Sequence, residues 1–350
     1  MNFTSTLISW YNKNKRELPW RNTKDPYYIW LSEIILQQTR VEQGLPYYLS
    51  FISNFPSIFN LAKAPADKVM KLWQGLGYYS RAINLHFTAK QIVEEYNGVF
   101  PSNFKDIKKL KGIGDYTASA IASFSFNLPY AVVDGNVIRV ISRVYGIQSD
   151  INTIETKSLI QKKASELLCK KNPGIFNQAI MEFGALQCKP QNPDCDNCSL
   201  KKMCFAFKNN LVEQLPLNNA KIKTKERYFN YLVINSLIKK NEFIYIRKRK
   251  MNDIWKNLYD FPCIEYLTKP KKEEIINTKE WKSIFLNKKH SIISTSKIYK
   301  HILSHQILYV QFYEVNLSHP FSKIPSDWKL IAKKDLKKYG VPRIIEKYFQ

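Results

Sequence analysis

The chain has 350 residues, enough for two domains with their own cores, and hydrophobic residues make up 45 % of it, so most of it is expected to fold. The formal net charge of +25 divides as +11 over residues 1–226 and +14 over residues 227–350, which favours a polyanionic partner along the whole length. No stretch approaches ~18 uninterrupted apolar residues, which argues against a membrane span, and "MNFTSTLISWYNKNKREL" lacks the basic start, apolar run and small-residue site of a secretory signal. An intracellular, cytoplasmic protein is expected.

Residues 1–207 read mainly as helix punctuated by Pro and Gly. In chain order the helical runs are "YYIWLSEIILQQTRV", taken as one amphipathic element, "ADKVMKLWQ", "SRAINLHFTAKQIVEEY", "YTASAIASFSF", "NVIRVISRVYG" and "SLIQKKASELLC". Ser57, Ser102 and Asp134 each stand just before such a run and are read as caps. Two segments echo one another: "GLGYYSRA" at 75–82 and "GIGDYTAS" at 112–119 both read Gly–apolar–Gly–x–Tyr–Ser/Thr and open a helix. Residues 208–226 are rich in Asn and Lys with little periodicity and read as a linker. Beyond them "RYFNYLVINSLI", "EFIYIRKRK", "KHSIIST" and "QILYVQFYEVNL" are strands, so a second, mixed α and β domain is expected over 227–350.

Four cysteines, Cys188, Cys195, Cys198 and Cys204, fall in the spacing C-x6-C-x2-C-x5-C. Four thiolates in one short loop point to a metal or cluster; an intracellular chain disfavours disulfides. Spacing alone leaves zinc and a four-iron cluster open. Lys189, Lys201, Lys202 and Lys208 in and beside the loop suit phosphate contact, while Cys169 and Cys263 read as packing residues.

In "LKGIGDYTASA" the glycines Gly112 and Gly114 permit a tight turn, and the helix after them offers free N–H groups and the positive end of its dipole to a phosphate. A plain helix–helix turn reads the same way. Asp134 in "YAVVDGNVIRV" is an N-cap by position, or a carboxylate facing positive charge on a sugar. Glu33 is the only acid in "YYIWLSEIILQQ".

Together, "LKGIGDYTA", "VVDGNVIRV" and the cysteine loop resemble the helix-hairpin-helix DNA glycosylases that carry an iron–sulfur cluster. "LPWR", "WLSEIILQQTRV" and "GLGYYSRAINL" are similar to the adenine DNA glycosylases of the MutY kind, and the resemblance spans residues 10–205. It implies a mainly α helix-hairpin-helix glycosylase domain with a structural [4Fe–4S] loop at 188–204, followed by an α+β Nudix-like domain. It implies that Glu33 protonates the leaving adenine, that Asp134 stays ionised to stabilise the cationic sugar, and that Asn136 orients Asp134. Tyr116 occupies the place where strand-cleaving relatives such as endonuclease III carry a Schiff-base lysine. A phenol forms no Schiff base, so the resemblance implies a monofunctional enzyme that leaves an abasic site, with Tyr116 packed near the sugar in support of Asp134. By the same resemblance Gln38 and Tyr78 enter the duplex, and Trp20, Arg21 and Gln178 line the adenine pocket.

"IWKNLYDFP" and "KHILSHQILYV" resemble the family's 8-oxoguanine-reading domain, more loosely. There Leu303, Ser304 and His305 stand where the family has Phe-Ser-His. The pattern G-x5-E-x7-R-E-x2-E-E of a working Nudix hydrolase is missing: after Gly184 comes only Gly340, and Glu273 and Glu274 have no such frame. The partner implied is double-stranded DNA holding an adenine opposite 8-oxoguanine or guanine. The protein would be a monomer and, in a bacterium, nucleoid-associated. Two other readings are a glycosylase/lyase for oxidised pyrimidines, which Tyr116 and the second domain disfavour, and a non-catalytic DNA-binding protein with a zinc loop.

Overall fold

The computed structural model describes residues 2–220, 224–250, 253–286 and 288–349. It divides into two compact units, one made of Met1–Lys63 and Asn84–Ala220, the other of Ala64–Ile83 and Lys221–Gln350. The first carries helices α1 (Phe3–Asn14), α2 (Pro26–Leu36), α3 (Val41–Asn54) and α4 (Ile58–Lys63). After α5 (Ala66–Leu72), which belongs to the second unit, come α6 (Ser80–Tyr96), α7 (Phe104–Lys109), α8 (Asp115–Phe126), α9 (Gly135–Tyr145), α10 (Ile154–Leu167), α11 (Pro173–Leu186) and α12 (Phe205–Lys208).

One core of this unit gathers α1, α9, α10 and α11. On α9 Val137, Val140, Ile141 and Val144 recur at helical spacing and bury against Leu7, Ile160, Phe176, Ile180 and Phe183. Helix α2 is different: Ile29–Ile35 are buried all round, so it runs through the interior rather than over it. Its partner α8 buries Thr117–Ser123, all small residues except Ile121, which lets the two backbones approach. A carboxylate on α2 therefore has little water.

Two local readings are corrected. The run from Tyr27 does not continue as one helix to Val41: α2 stops at Leu36, Gln38 takes a positive φ of 55°, and α3 starts at Val41. The cap of α7 is Asn103 rather than Ser102, its side chain accepting from the Asp106 N–H at 2.9 Å. Ser57 does meet the Asn60 N–H, at 3.4 Å.

The second unit is built on a sheet of β1 (Lys225–Ile238), β2 (Asn241–Lys248), β3 (Tyr259–Asp260), β4 (Cys263–Tyr266), β5 (His290–Thr295), β6 (Tyr299–Ile302), β7 (Gln306–Leu317) and β8 (Trp328–Ala332), with helices α13 (Lys272–Ile276), α14 (Lys279–Ile284) and α15 (Arg343–Phe349). The main path runs β3-β2-β1-β7-β5. β1 and β7 pair in parallel with Tyr231 opposite Phe312, and the other ladders are antiparallel. Phe229–Ile234 of β1 are continuously buried because both sheet faces are covered. On one side Trp281 of α14 and Phe285 just after it pack with Leu232, Tyr313 and Val315; on the other Tyr348 of α15 stacks on Phe312 at 4.0 Å. Of the expected linker, residues 208–220 belong to the first unit, where Leu217 accepts from Ile151 N–H, and residues 221–223 lie outside the described residues. No helix among the described residues is long and apolar enough to cross a membrane.

Candidate active site

An open cleft of about 900 Å³ in the first unit is lined by Trp20, Arg21, Glu33, Tyr116, Asp134, Asn136, Arg139 and Glu182, with the loop at Lys189–Gln191 on its rim. Its size is within the range of small-molecule sites. Glu33 enters it from the interior helix α2 and is only 6 % exposed. Its Oε2 accepts from the Tyr116 hydroxyl at 2.7 Å. Burial pushes the Glu33 carboxyl up from an ordinary 4.5 to about 7; the Tyr116 hydrogen bond opposes this, and the negative charge of Asp134 adds to it.

Asp134 comes from the start of α9. Its Oδ1 caps the helix, accepting from the Val137 N–H at 2.8 Å, and its Oδ2 accepts from the Asn136 amide at 2.8 Å. Burial raises this carboxyl too, but these donors favour the anion and work against the rise. The two carboxyls thus meet the same cleft with opposite support: Glu33 has a dry helix and one phenol, Asp134 a helix N-terminus and an amide. Tyr116 gives its hydroxyl to Glu33 rather than to Asp134.

Trp20 is buried edge-on against Tyr48, with ring centroids 5.1 Å apart. Arg21 lies over the Tyr11 ring at 5.6 Å. Gln178 stands on α11 with its amide oxygen taken by the Tyr11 hydroxyl at 2.8 Å, and it is not among the cleft's lining residues. Glu182, one turn further along α11, is. Its side chain is 1 % exposed and holds both Arg16 (2.8 Å) and Arg21 (2.7 Å). Burial alone would raise this carboxyl; the hydrogen bonds from Arg16 and Arg21 outweigh it and hold it down at about 2. Sequence reading missed Glu182, although it is the only acid in the apolar run "PGIFNQAIMEFGAL", the same signal that singled out Glu33.

Arg139 was also missed. Its Nε donates to the Cys188 carbonyl at 2.7 Å, and its Nη2 to Asn136 Oδ1 at 2.8 Å and the Gly184 carbonyl at 2.6 Å. Gly184 is required there, because a Cβ would sit 2.6 Å from that of Asn136. One guanidinium therefore joins the residue that orients Asp134 to the first cysteine of the loop.

The four cysteines Cys188, Cys195, Cys198 and Cys204 line one small pocket with Phe183, Leu200 and Phe207, and none is in a disulfide. Arg143, buried beside them, donates to the Lys189 and Pro190 carbonyls at 2.7 and 3.1 Å and approaches Cys188 Sγ at 3.5 Å. Burial raises the thiols of Cys195, Cys198 and Cys204, that of Cys198 to about 11, with the other cysteines adding to it. Four such sulfurs round one pocket fit a cationic inorganic group that would take them as thiolates. Among the described residues no three or more His, Cys, Asp or Glu side chains stand together as a metal-ion site, so the fit of these cysteines rests on their donor chemistry and shared pocket.

Gln38 is exposed at the α2–α3 break. Gly112 has a φ of +78°, with Asn84 of α6 where a Cβ would go, and Gly114 caps α8. In the second unit Leu303, Ser304 and His305 form the β6–β7 turn, closed by the Leu303 N–H on the Gln306 carbonyl at 2.8 Å. Tyr78, at a φ of +46° and 44 % exposed, is hydrogen-bonded to Ser304.

Residues 31–168 match the HhH-GPD superfamily of base excision DNA repair proteins, and residues 234–350 match the NUDIX domain. The adenine DNA glycosylase of Buchnera aphidicola subsp. Schizaphis graminum is 38 % identical over 99 % of this chain and 98 % of its own length. The chain belongs to the adenine DNA glycosylase family. A second member, from Buchnera aphidicola subsp. Baizongia pistaciae, is 38 % identical over 88 % of this chain and 84 % of its own. A thermostable thymine-DNA glycosylase of known structure is 31 % identical and superposes with a TM-score of 0.55 over 59 % of this chain and 95 % of its own. Within this glycosylase, Glu33, Tyr116 and Asp134 fall inside the HhH-GPD match, and Leu303–His305 inside the NUDIX match.

Proposed function

We propose that the protein excises adenine mispaired with 8-oxoguanine or guanine in double-stranded DNA, acting as a monomer in the cytoplasm, at the nucleoid if the cell is bacterial. The observation that carries this is the pair Glu33 and Asp134 in one cleft: burial raises both carboxyls, but only Asp134 has a helix N–H and an amide donating to its anion. Cleaving an N-glycosidic bond needs a proton on the departing base and support for cationic character on the sugar. Glu33, half protonated near pH 7, delivers the first. Asp134, held by Val137 and Asn136, supplies the second. Trp20 and Arg21 would bound the base, with Arg21 fixed by Glu182; Gln178 would act only through Tyr11. The target base leaves the stack before it reaches the cleft, with Gln38 and Tyr78 filling the gap and Gly112 and Gly114 holding a phosphate. Leu303, Ser304 and His305 would read the lesion.

Tyr116 offers no amine at the sugar, so the product is an abasic site rather than a broken strand. Cys188, Cys195, Cys198 and Cys204 would hold a [4Fe–4S] cluster, which supplies a structural cross-link when bound.

The test is a duplex carrying adenine opposite 8-oxoguanine, guanine or thymine, incubated with the protein and resolved with and without alkali. Breaks that appear only after alkali, fastest opposite 8-oxoguanine, are the expected outcome. Breaks without alkali overturn the monofunctional assignment, and equal rates opposite thymine overturn the mispair assignment.

A further inference from the structure

Ala64–Ile83 lies within the HhH-GPD match but packs with the sheet-bearing unit. Asp67, in the first turn of α5, accepts from Lys248 Nζ of β2 at 2.6 Å and from the Tyr259 hydroxyl of β3 at 2.9 Å. Further along, Lys71 Nζ donates to the Tyr339 carbonyl at 3.2 Å, Gln74 accepts from the Val341 N–H at 3.3 Å, and Gln74 also pairs with Glu346. Gly340 sits so close to α5 that a Cβ there would lie 3.4 Å from the Lys71 nitrogen. The segment then makes the 75–78 turn, braced by the Trp73 indole N–H on the Gly77 carbonyl at 3.0 Å, and ends at Tyr78 on Ser304.

We propose that Asp67 is a positioning residue for lesion discrimination: by latching α5 to β2 and β3 it sets the Tyr78 hydroxyl against Ser304. Asp67 is the only acid in Ala64–Ile83. The Lys248 and Asp67 side chains are 29 % and 42 % exposed, and ion pairs this wet contribute little to stability. What two convergent donors on one carboxylate do fix is direction. They hold the start of a short helix whose other end leads directly into the turn that presents Tyr78. Loosening the start lets Tyr78 and Ser304 drift apart, and a drift of ~1 Å is enough to degrade a contact that depends on geometry. The proposal rests on the reading of Ser304 as a contact to 8-oxoguanine.

The experiment compares single-turnover adenine release opposite 8-oxoguanine and opposite guanine, using full-length protein, for wild type, Asp67→Ala, Asp67→Glu and Lys248→Met. Asp67→Ala and Lys248→Met should each lower the preference for 8-oxoguanine on the order of tenfold, with release opposite guanine and the melting temperature little changed. Asp67→Glu, which keeps the charge, should recover most of the preference. An unchanged preference overturns the latch, and so does equal slowing on both duplexes, which a merely structural residue would give. Wild-type protein that releases no adenine refutes the functional reading and the latch with it. Intact wild-type discrimination that Asp67→Ala leaves unmoved refutes the latch alone.

Discussion

Glu33→Gln should make the protein inactive and more stable at once. Gln has the shape of the neutral acid and keeps an oxygen for the Tyr116 hydroxyl, but it has no proton to give. Excision should fall by about 10²–10⁴-fold, the usual contribution of a general acid. Stability moves the other way. Glu33 has a folded-state value of about 7 against an ordinary 4.5, so the folded chain binds this proton more tightly than the unfolded one. The group therefore costs nothing below pH 4.5, and its cost grows as pH rises through the interval and levels off above about 7. At about 1.4 kcal/mol per pH unit, that interval amounts to about 3 kcal/mol. The assay is paired denaturant unfolding of wild type and Glu33→Gln at pH 4.5 and pH 8, in which groups common to both cancel. The Gln variant should gain about 3 kcal/mol relative to wild type between those two pH values. Wild-type excision should also fall about tenfold per unit above pH 7. A stability difference that does not change with pH would show that Glu33 ionises freely, and the protonated-acid argument would fail with it.

Asp134→Asn keeps a side chain that also caps helices, so its unfolding free energy should change by no more than about 1 kcal/mol. Adenine release should nevertheless be lost while duplex binding, measured by anisotropy, persists; loss of binding would reduce Asp134 to a cap. Cys198→Ser should abolish the brown colour and iron content expected of the purified protein and lower its melting temperature. Full iron content in that variant, or zinc in place of iron in the wild type, would remove the cluster assignment.

Particular residues show what the sequence could reveal. Asp134 was legible because a capping residue ahead of an amphipathic run announces its own position. Glu33 was legible as a lone acid among apolar neighbours, and Glu182 carried the same signal unread. The break at Gln38 was not legible, since "QQTR" holds neither Gly nor Pro to announce the positive φ found there. Ser102 and Asn103 are both good caps, and sequence does not choose between neighbours. Alternation identified β1 and β7 as strands but not as parallel partners, because pairing across the unit is a tertiary matter. For the same reason nothing local in "ADKVMKLWQ" shows that it packs with the sheet.

Two of the glutamates that line the cleft, Glu33 and Glu182, stand at opposite ends of the acid scale, one near 7 and one near 2. Only the first changes charge under ordinary cellular conditions. The walls that Arg16 and Arg21 form around Glu182 keep the same charge and shape while Glu33 gains or loses its proton. Acidification or mild alkalinity therefore adjusts how fast the chamber works without altering what fits inside it.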